Sequence, residues 1–291
     1  ADLWVVPLGT KSYDDPSFLS GRERHVILST PGVENSEDMV VAFASWRKPR
    51  GGTNTILLIG TAGDSPKALP WNIVEGSRAA LDAPDTVAID QSYFPDLGID
   101  KLGQHAEING ASVELAAVTK RIRSFTTLPF VFTSLDEARR LTGAEQDQAA
   151  YQRVSLVSGA DLEHVRAEIA QRLPDTEVLT QDEFRKRSQN YWLFQTGAGA
   201  ALIAGALLGL IVGIVIVAQT LYASTKDHIN EFATLRALGA GAGYIVKVIL
   251  MQAVLSGFIG YVLGIALALA AIRAAQDTKL TVIMTPELAG G

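Results

Sequence analysis

Residues 188–240 read SQNYWLFQTGAGAALIAGALLGLIVGIVIVAQTLYASTKDHINEFATLRALGA. From Ser188 to Thr225 no side chain is charged, a run of roughly 38 residues. A helix rises about 1.5 Å per residue and the hydrocarbon core of a bilayer is about 30 Å thick, so about 20 apolar residues span it. Gly197–Ala223 exceeds that length, as does a second apolar stretch, Ile245–Ile272. Tyr191, Trp192 and Phe194 gather at the entrance of the first stretch, and Tyr222 and Tyr244 flank the connection, where amphipathic rings suit a lipid–water boundary. A buried helix of a soluble core rarely runs so long without a polar face. The sequence therefore predicts a stalk and transmembrane helix over 182–223, a connector over 224–243, a second transmembrane helix over 244–272 and a loop over 273–291.

Both spans carry small residues at four-residue spacing: Ala201, Gly205, Gly209 and Gly213 in one, Ser256, Gly260, Gly264 and Ala268 in the other. Such residues share one stripe of a helix and let neighbouring backbones approach within lipid, so they read as packing positions. No Asp, Glu, Lys or Arg lies deep in either span, which argues against a proton or ion relay. In the connector, Ser224 with Asp227 reads as a capping box and Gly239, Gly241 and Gly243 as a stop. At 100° per residue Ile229, Phe232, Ala233, Leu235 and Ala237 fall on one arc with Arg236, while Asp227, Asn230, Glu231 and Thr234 fall on the other. A short helix of this kind lies in the membrane interface or docks in a partner's groove.

The rest of the chain is of another kind. All but five of the 25 Lys and Arg, and all but four of the 31 Asp and Glu, lie in residues 1–187. That is long enough to bury its own core. Its acidic balance argues against nucleic acid, whose phosphates call for a basic face. Its two ends look alike. A strand at Leu3–Val6, a helix over Phe18–Leu28 and a strand near Met39–Phe43 are echoed by a strand at Arg153–Val157, a helix over Asp161–Leu173 and a strand near Glu177–Leu179. The expected fold is an α+β domain of two βαβ-like units, 1–44 and 151–181, enclosing a β-rich insertion, 45–150, with strands at Thr55–Ile59, Thr86–Ile89 and Val113–Val118. Thr180-Gln-Asp-Glu183 reads as a second capping box, opening a continuous helix that carries Arg185-Lys-Arg187 into the membrane.

Chemistry is sparse. There is no cysteine and no phosphate-binding G-x-x-x-x-G-K-[ST] loop. His25, His105, His164 and His228 are scattered without metal-ligand spacing. Asp14-Asp15 reads as a turn. Neither a catalytic residue nor a metal nor a cofactor is implied.

Glu231-Phe-Ala-Thr-Leu-Arg-Ala-Leu-Gly-Ala240, followed at once by a Gly-rich apolar helix, resembles the signature of ABC transporter permeases of the FtsX/MacB type. The opening Ala1-Asp-Leu-Trp-Val-Val-Pro7, with Pro31-Gly-Val33 and Trp46-Arg-Lys-Pro49, is similar to the DevC-like branch. That family has four transmembrane helices, its large outer domain lying between the first and second, so the resemblance implies a fragment holding the second and third and lacking the first and last. It also implies a porter-like periplasmic domain, a bacterial inner-membrane location and a connector in the cytoplasm, an orientation that the charges flanking the spans leave open. The implied partners are a cytoplasmic ABC ATPase, a second permease copy, a membrane-fusion adaptor and an outer-membrane channel, in a mechanotransmission efflux system. ATPase coupling would fall to Glu231, Phe232, Leu235, Arg236, Leu238 and Gly239, and helix packing to Gly205, Gly209, Gly213, Ser256, Gly260 and Gly264. The other class the resemblance admits is an FtsX-like regulator that activates a cell-wall hydrolase or signalling partner.

Overall fold

A computed structural model describes residues 1–62, 69–124 and 128–275. The chain forms β1 (Leu3–Pro7), α1 (Arg22–Leu28), β2 (Val33–Arg47), β3 (Thr53–Thr61), β4 (Ile73–Gly76), β5 (Thr86–Asp90), α2 (Phe94–Leu97), β6 (His105–Ile108), β7 (Ala111–Thr119) and β8 (Phe130–Ser134). It continues through α3 (Leu135–Thr142), β9 (Tyr151–Leu156), α4 (Leu162–Arg172), β10 (Thr176–Thr180), α5 (Gln181–Asn190), α6 (Gly197–Asp227), α7 (Ile229–Ala237) and α8 (Ala242–Ala275). Two units result, Ala1–Trp192 and Leu193–Gly291.

In the first unit the chain ends build a four-stranded antiparallel sheet in the order β10-β1-β9-β2. Each helix links two strands that a third separates, so the βαβ units are split and interlocked in the ferredoxin-like manner. Alternation decides the faces. Leu3 and Val5 of β1, Val154 of β9 and Val178 of β10 pack with Ile27 of α1 and Val165 and Ile169 of α4. Trp4 and Val6 point the other way, toward Tyr151, Leu179 and Phe184. Asp161 starts α4 by accepting from the backbone N–H of Glu163 and His164, at 3.1 and 3.3 Å.

Strands β3 to β8 form the insertion. The pairings β2–β3, β3–β8, β8–β5, β5–β7, β7–β6 and β6–β2 return to their start, so six strands close into a small barrel and β4 extends it beyond β7. Val40 and Trp46 of β2, Ile56 and Leu58 of β3, Val87 of β5, and Val113 and Val131 from β7 and β8 fill it. The Trp46 indole N–H donates to the Leu97 carbonyl at 3.0 Å. The expected boundary at residue 44 falls inside β2, whose first half pairs β9 and whose second half pairs β3. Met39 is the rung where they meet: it faces Tyr151 on one side and Thr61 on the other. Helix α3 lies so close to β3 that a Cβ on Gly60 would collide with the Ala138 side chain, which leaves room there for glycine alone. Arg139 of α3 reaches back to the buried Asp38 of β2 at 2.8 Å and ties insertion to frame.

The strands read from sequence match β1, β2, β3, β5, β7, β9 and β10 in place, though most run longer. Strands β4, β6 and β8 and helices α2 and α3 have no counterpart in the sequence reading.

The second unit is helical. Gly199–Asp227 and Gly243–Ala271 are each long and apolar enough to cross a membrane. Leu207, Leu210, Ile214, Leu255, Phe258 and Leu267 are among the large apolar side chains that stand exposed along them. Burying one such side chain is worth about 1.5–3 kcal/mol, so together they demand an apolar surrounding. The Gln252 side-chain amide of α8 donates to Ser224 Oγ of α6 at 3.4 Å. Most of the loop expected over 273–291 lies outside the described residues.

Candidate functional site

Two short helices carry the functional reading: α5, which leads along the chain toward the first span, and α7, which links the spans.

The α5 capping box forms as expected. Thr180 Oγ1 accepts from the Glu183 N–H at 3.2 Å, and Glu183 Oε2 accepts from the Thr180 N–H at 2.8 Å. Those bonds, with Arg166 at 3.0 Å from the other Glu183 oxygen, hold that carboxyl below the usual range. One turn on, Phe184 is buried against Trp4 and Tyr151, both with ring centroids at 5.4 Å, and Tyr13 at 6.4 Å. Arg187 pairs with Glu177 of β10 at 2.5 Å, while Glu177 also accepts from the Gly9 N–H at 3.0 Å. Burial works against the Glu177 charge, but the Gly9 N–H and Arg187 outweigh it and keep this carboxyl low as well. Finally the Tyr13 N–H donates to Ser188 Oγ at 3.0 Å. Successive ties thus fasten α5 to its own sheet and to the loop between β1 and α1.

The continuous helix expected beyond α5 is interrupted. Tyr191–Gln195 forms a π-helical turn. Thr196 then leaves the helix at φ −102 and ψ 151, and its hydroxyl accepts from the Gly199 N–H at 3.4 Å to start α6 afresh. Ser and Thr are favoured caps because their oxygen satisfies an orphan N–H, and Thr196 takes that role here in place of an interior position in one long helix.

In the connector, the capping box expected of Ser224 and Asp227 does not form. Helix α6 runs through both residues, Ser224 Oγ accepts from Gln252, and the break falls at His228. The His228 ring contacts Glu231 Oε1 at 3.0 Å, but no side chain caps the α7 N-terminus. The far end behaves as expected. Gly239 takes φ +99, its N–H donates to the Arg236 carbonyl at 3.0 Å, and the Ala240 N–H donates to the Leu235 carbonyl at 3.0 Å. This pair of bonds is the Schellman ending, which a left-handed glycine makes readily.

Helix α7 buries no residue. Ile229, Leu235 and Leu238 are exposed, the last at 81%, and Phe232 is half-buried. Glu231 and Arg236 are exposed beside them, and among the described residues Arg236 enters no ion pair. The structure therefore gathers the six connector residues singled out from sequence on one nine-residue helix and its cap. Among the described residues it does not bring the small-residue stripes together: a Cβ at Gly205, Gly209, Gly213, Gly260 or Gly264 would meet nothing within 4 Å. The aromatic seat of α5 was not legible as a site, nor was the half-buried position of Asp14 in the loop beside it. Among the described residues no group of His, Asp and Glu converges as a metal site.

The family profile of the MacB-like periplasmic core domain matches residues 1–172, and that of the FtsX-like permease C-terminal region matches 203–288. The chain belongs to the FtsX/MacB family of ABC transporter permeases. It is 25% identical over 179 residues to an uncharacterized ABC transporter permease of Methanocaldococcus jannaschii, an alignment taking in 58% of this chain and 44% of the relative. The chain thus spans under half the length of that relative. The extracellular domain of the ABC-type transporter YknZ from Gram-positive bacteria is similar at 14% identity and a TM-score of 0.46, covering 62% of this chain and 98% of that one. The periplasmic region of MacB from Actinobacillus actinomycetemcomitans is similar at 9% identity and a TM-score of 0.48, covering 65% and 92%. As in other FtsX/MacB permeases, the ten-stranded unit is the periplasmic part of a membrane protein, and the two apolar helices suit the inner membrane.

Proposed function

We propose that this permease works by mechanotransmission in an efflux system. A cytoplasmic ABC ATPase engages α7, the spans carry the displacement, and α5 delivers it to the periplasmic sheet, which drives cargo onward. The observation that carries this reading is the fastening of α5: Phe184 and Arg187 hold the helix to the sheet and Ser188 holds it to the β1–α1 loop, so movement of α5 is movement of the domain. The π-turn and the extended Thr196 place a joint in this path, in contrast to the single unbroken helix expected from sequence.

On this reading the exposed arc of α7 is the ATPase docking face. Phe232, Leu235 and Leu238 enter a groove, Arg236 meets an acidic rim and Gly239 ends the helix there. The ATPase supplies all catalysis. The glycine stripes receive a second permease copy, and a membrane-fusion adaptor and an outer-membrane channel complete the path.

The decisive experiment inserts three glycines after Ser188 in the full complex. ATP hydrolysis continues while export falls to background. Unchanged export in that variant refutes the reading. A pull-down on the periplasmic side separates it from regulation: capture of an adaptor supports export, and capture of a wall hydrolase favours the FtsX-like alternative.

A further inference from the structure

The loop between β1 and α1 touches α5 through its backbone. The Tyr13 N–H donates to Ser188 Oγ at 3.0 Å, and the Thr10 carbonyl accepts from Arg187 at 3.3 Å. From the sheet side, the Tyr151 hydroxyl donates to the Tyr13 carbonyl at 3.0 Å, with the Ser12 carbonyl at 3.4 Å. The loop is therefore a wedge between β9 and α5. Within it, Ser12 Oγ and one carboxylate oxygen of Asp14 are shut away from solvent and make no hydrogen bond among the described residues. A buried polar atom left without a partner opposes the conformation that buries it, and an ionised carboxylate opposes it more.

We propose that Asp14 is a proton-operated latch on α5: the protonated side chain lets the wedge seat against Ser188, and the ionised one draws it back toward water. The charged and titratable surroundings do not rescue the ionised form. Asp15 lies next to Asp14 on the same loop, and Tyr151 of β9 feels both carboxylates. Tyr13 feels Asp14 and, in the opposite sense, Arg153 of β9, whose guanidinium is bridged to Glu37 of β2. The cation that α5 presents, Arg187, is bridged to Glu177. Burial accordingly pushes the Asp14 carboxyl up to about 6. A carboxyl raised in this way leaves the seated wedge fully stable below its ordinary value, near 4, and weakens it as the pH rises through about 6. The latch thus holds α5 more firmly on the acidic side.

The test uses the full chain in lipid nanodiscs and reads hydrogen exchange at the Tyr13 amide, corrected for intrinsic rates. Protection falls about tenfold or more between about pH 5 and about pH 8. In Asp14→Asn, which keeps the shape and removes the charge, protection stays high throughout. Equal pH profiles in the two proteins overturn the latch, as does a flat profile in the native chain. Ser188→Ala guards against a general loosening: it lowers Tyr13 protection at acidic pH while the β1 amides remain protected, and a Tyr13 amide indifferent to this change overturns the proposal too. None of these readings depends on export, so the latch can fail while the mechanotransmission reading stands.

Discussion

Helices α5 and α7 are nearly the same length, ten and nine residues, and both have Glu as their third residue, yet they are held in opposite ways. Helix α5 has a reciprocal side-chain cap, a buried Phe184 and polar ties to α4, β10 and the β1–α1 loop. Helix α7 has no side-chain cap and no buried residue, and its order comes from the helices it joins and its glycine ending. Isolated helices this short are marginal in water, so tertiary packing has to supply most of their stability. The first finds that packing inside its own unit. The second, among the described residues, leaves Ile229 and Leu235 exposed.

The sharpest way to break this comparison is to empty the seat of α5. Phe184→Ala removes a buried aromatic and should lower the unfolding free energy of the periplasmic unit by about 3–5 kcal/mol, read as a shift in urea midpoint. Leu238→Ala, at the exposed C-cap of α7, should change stability by less than about 0.5 kcal/mol, and a comparable loss in both variants would erase the contrast. Next come the caps. Thr180→Ala should destabilise by about 1 kcal/mol, whereas Ser224→Ala removes no cap and should leave helix content unchanged by circular dichroism. Gly239→Ala should cost about 1 kcal/mol at the left-handed position, seen as faster amide exchange at Ala240. The smallest effect is electrostatic. Glu177 and Glu183 are held low, so their contribution to anchoring α5 is present above their ordinary range near 4 and is lost as the pH falls through their lower folded values. Arg187→Gln should therefore flatten the acid limb of the stability profile, while the Asp14 effect near about 6 persists.

Much of this was written locally. The uncharged run marks the membrane helices, Thr180 and Glu183 mark the start of α5, and the spacing of Leu162, Val165 and Ile169 marks α4, because each depends on residues within a few positions of one another. The closed barrel was hidden, since β6 is short and its partners in β2 lie far back along the chain, Ile108 facing Trp46 and Glu107 facing Arg47. The turn expected at Asp14-Asp15 forms, the Asp15 N–H donating to the Ser12 carbonyl at 3.2 Å, but nothing nearby in sequence announces that Tyr151 and α5 flank it. Ser224 misled for a related reason: a Ser followed three residues on by an acid caps a helix only where the chain enters one, and here α6 had not yet ended.

The rung joining Met39 to Tyr151 has a consequence of its own. The chain departs into the barrel at Met39 and returns at Ala150, whose N–H donates to the Met39 carbonyl at 2.8 Å. Door and exit are therefore one hydrogen bond apart, and the frame closes behind the excursion. The barrel thus leaves and rejoins the frame at a single rung, and the shared packing of Leu57 and Phe132 with Tyr151 and Phe184 couples it to the sheet that grips α5.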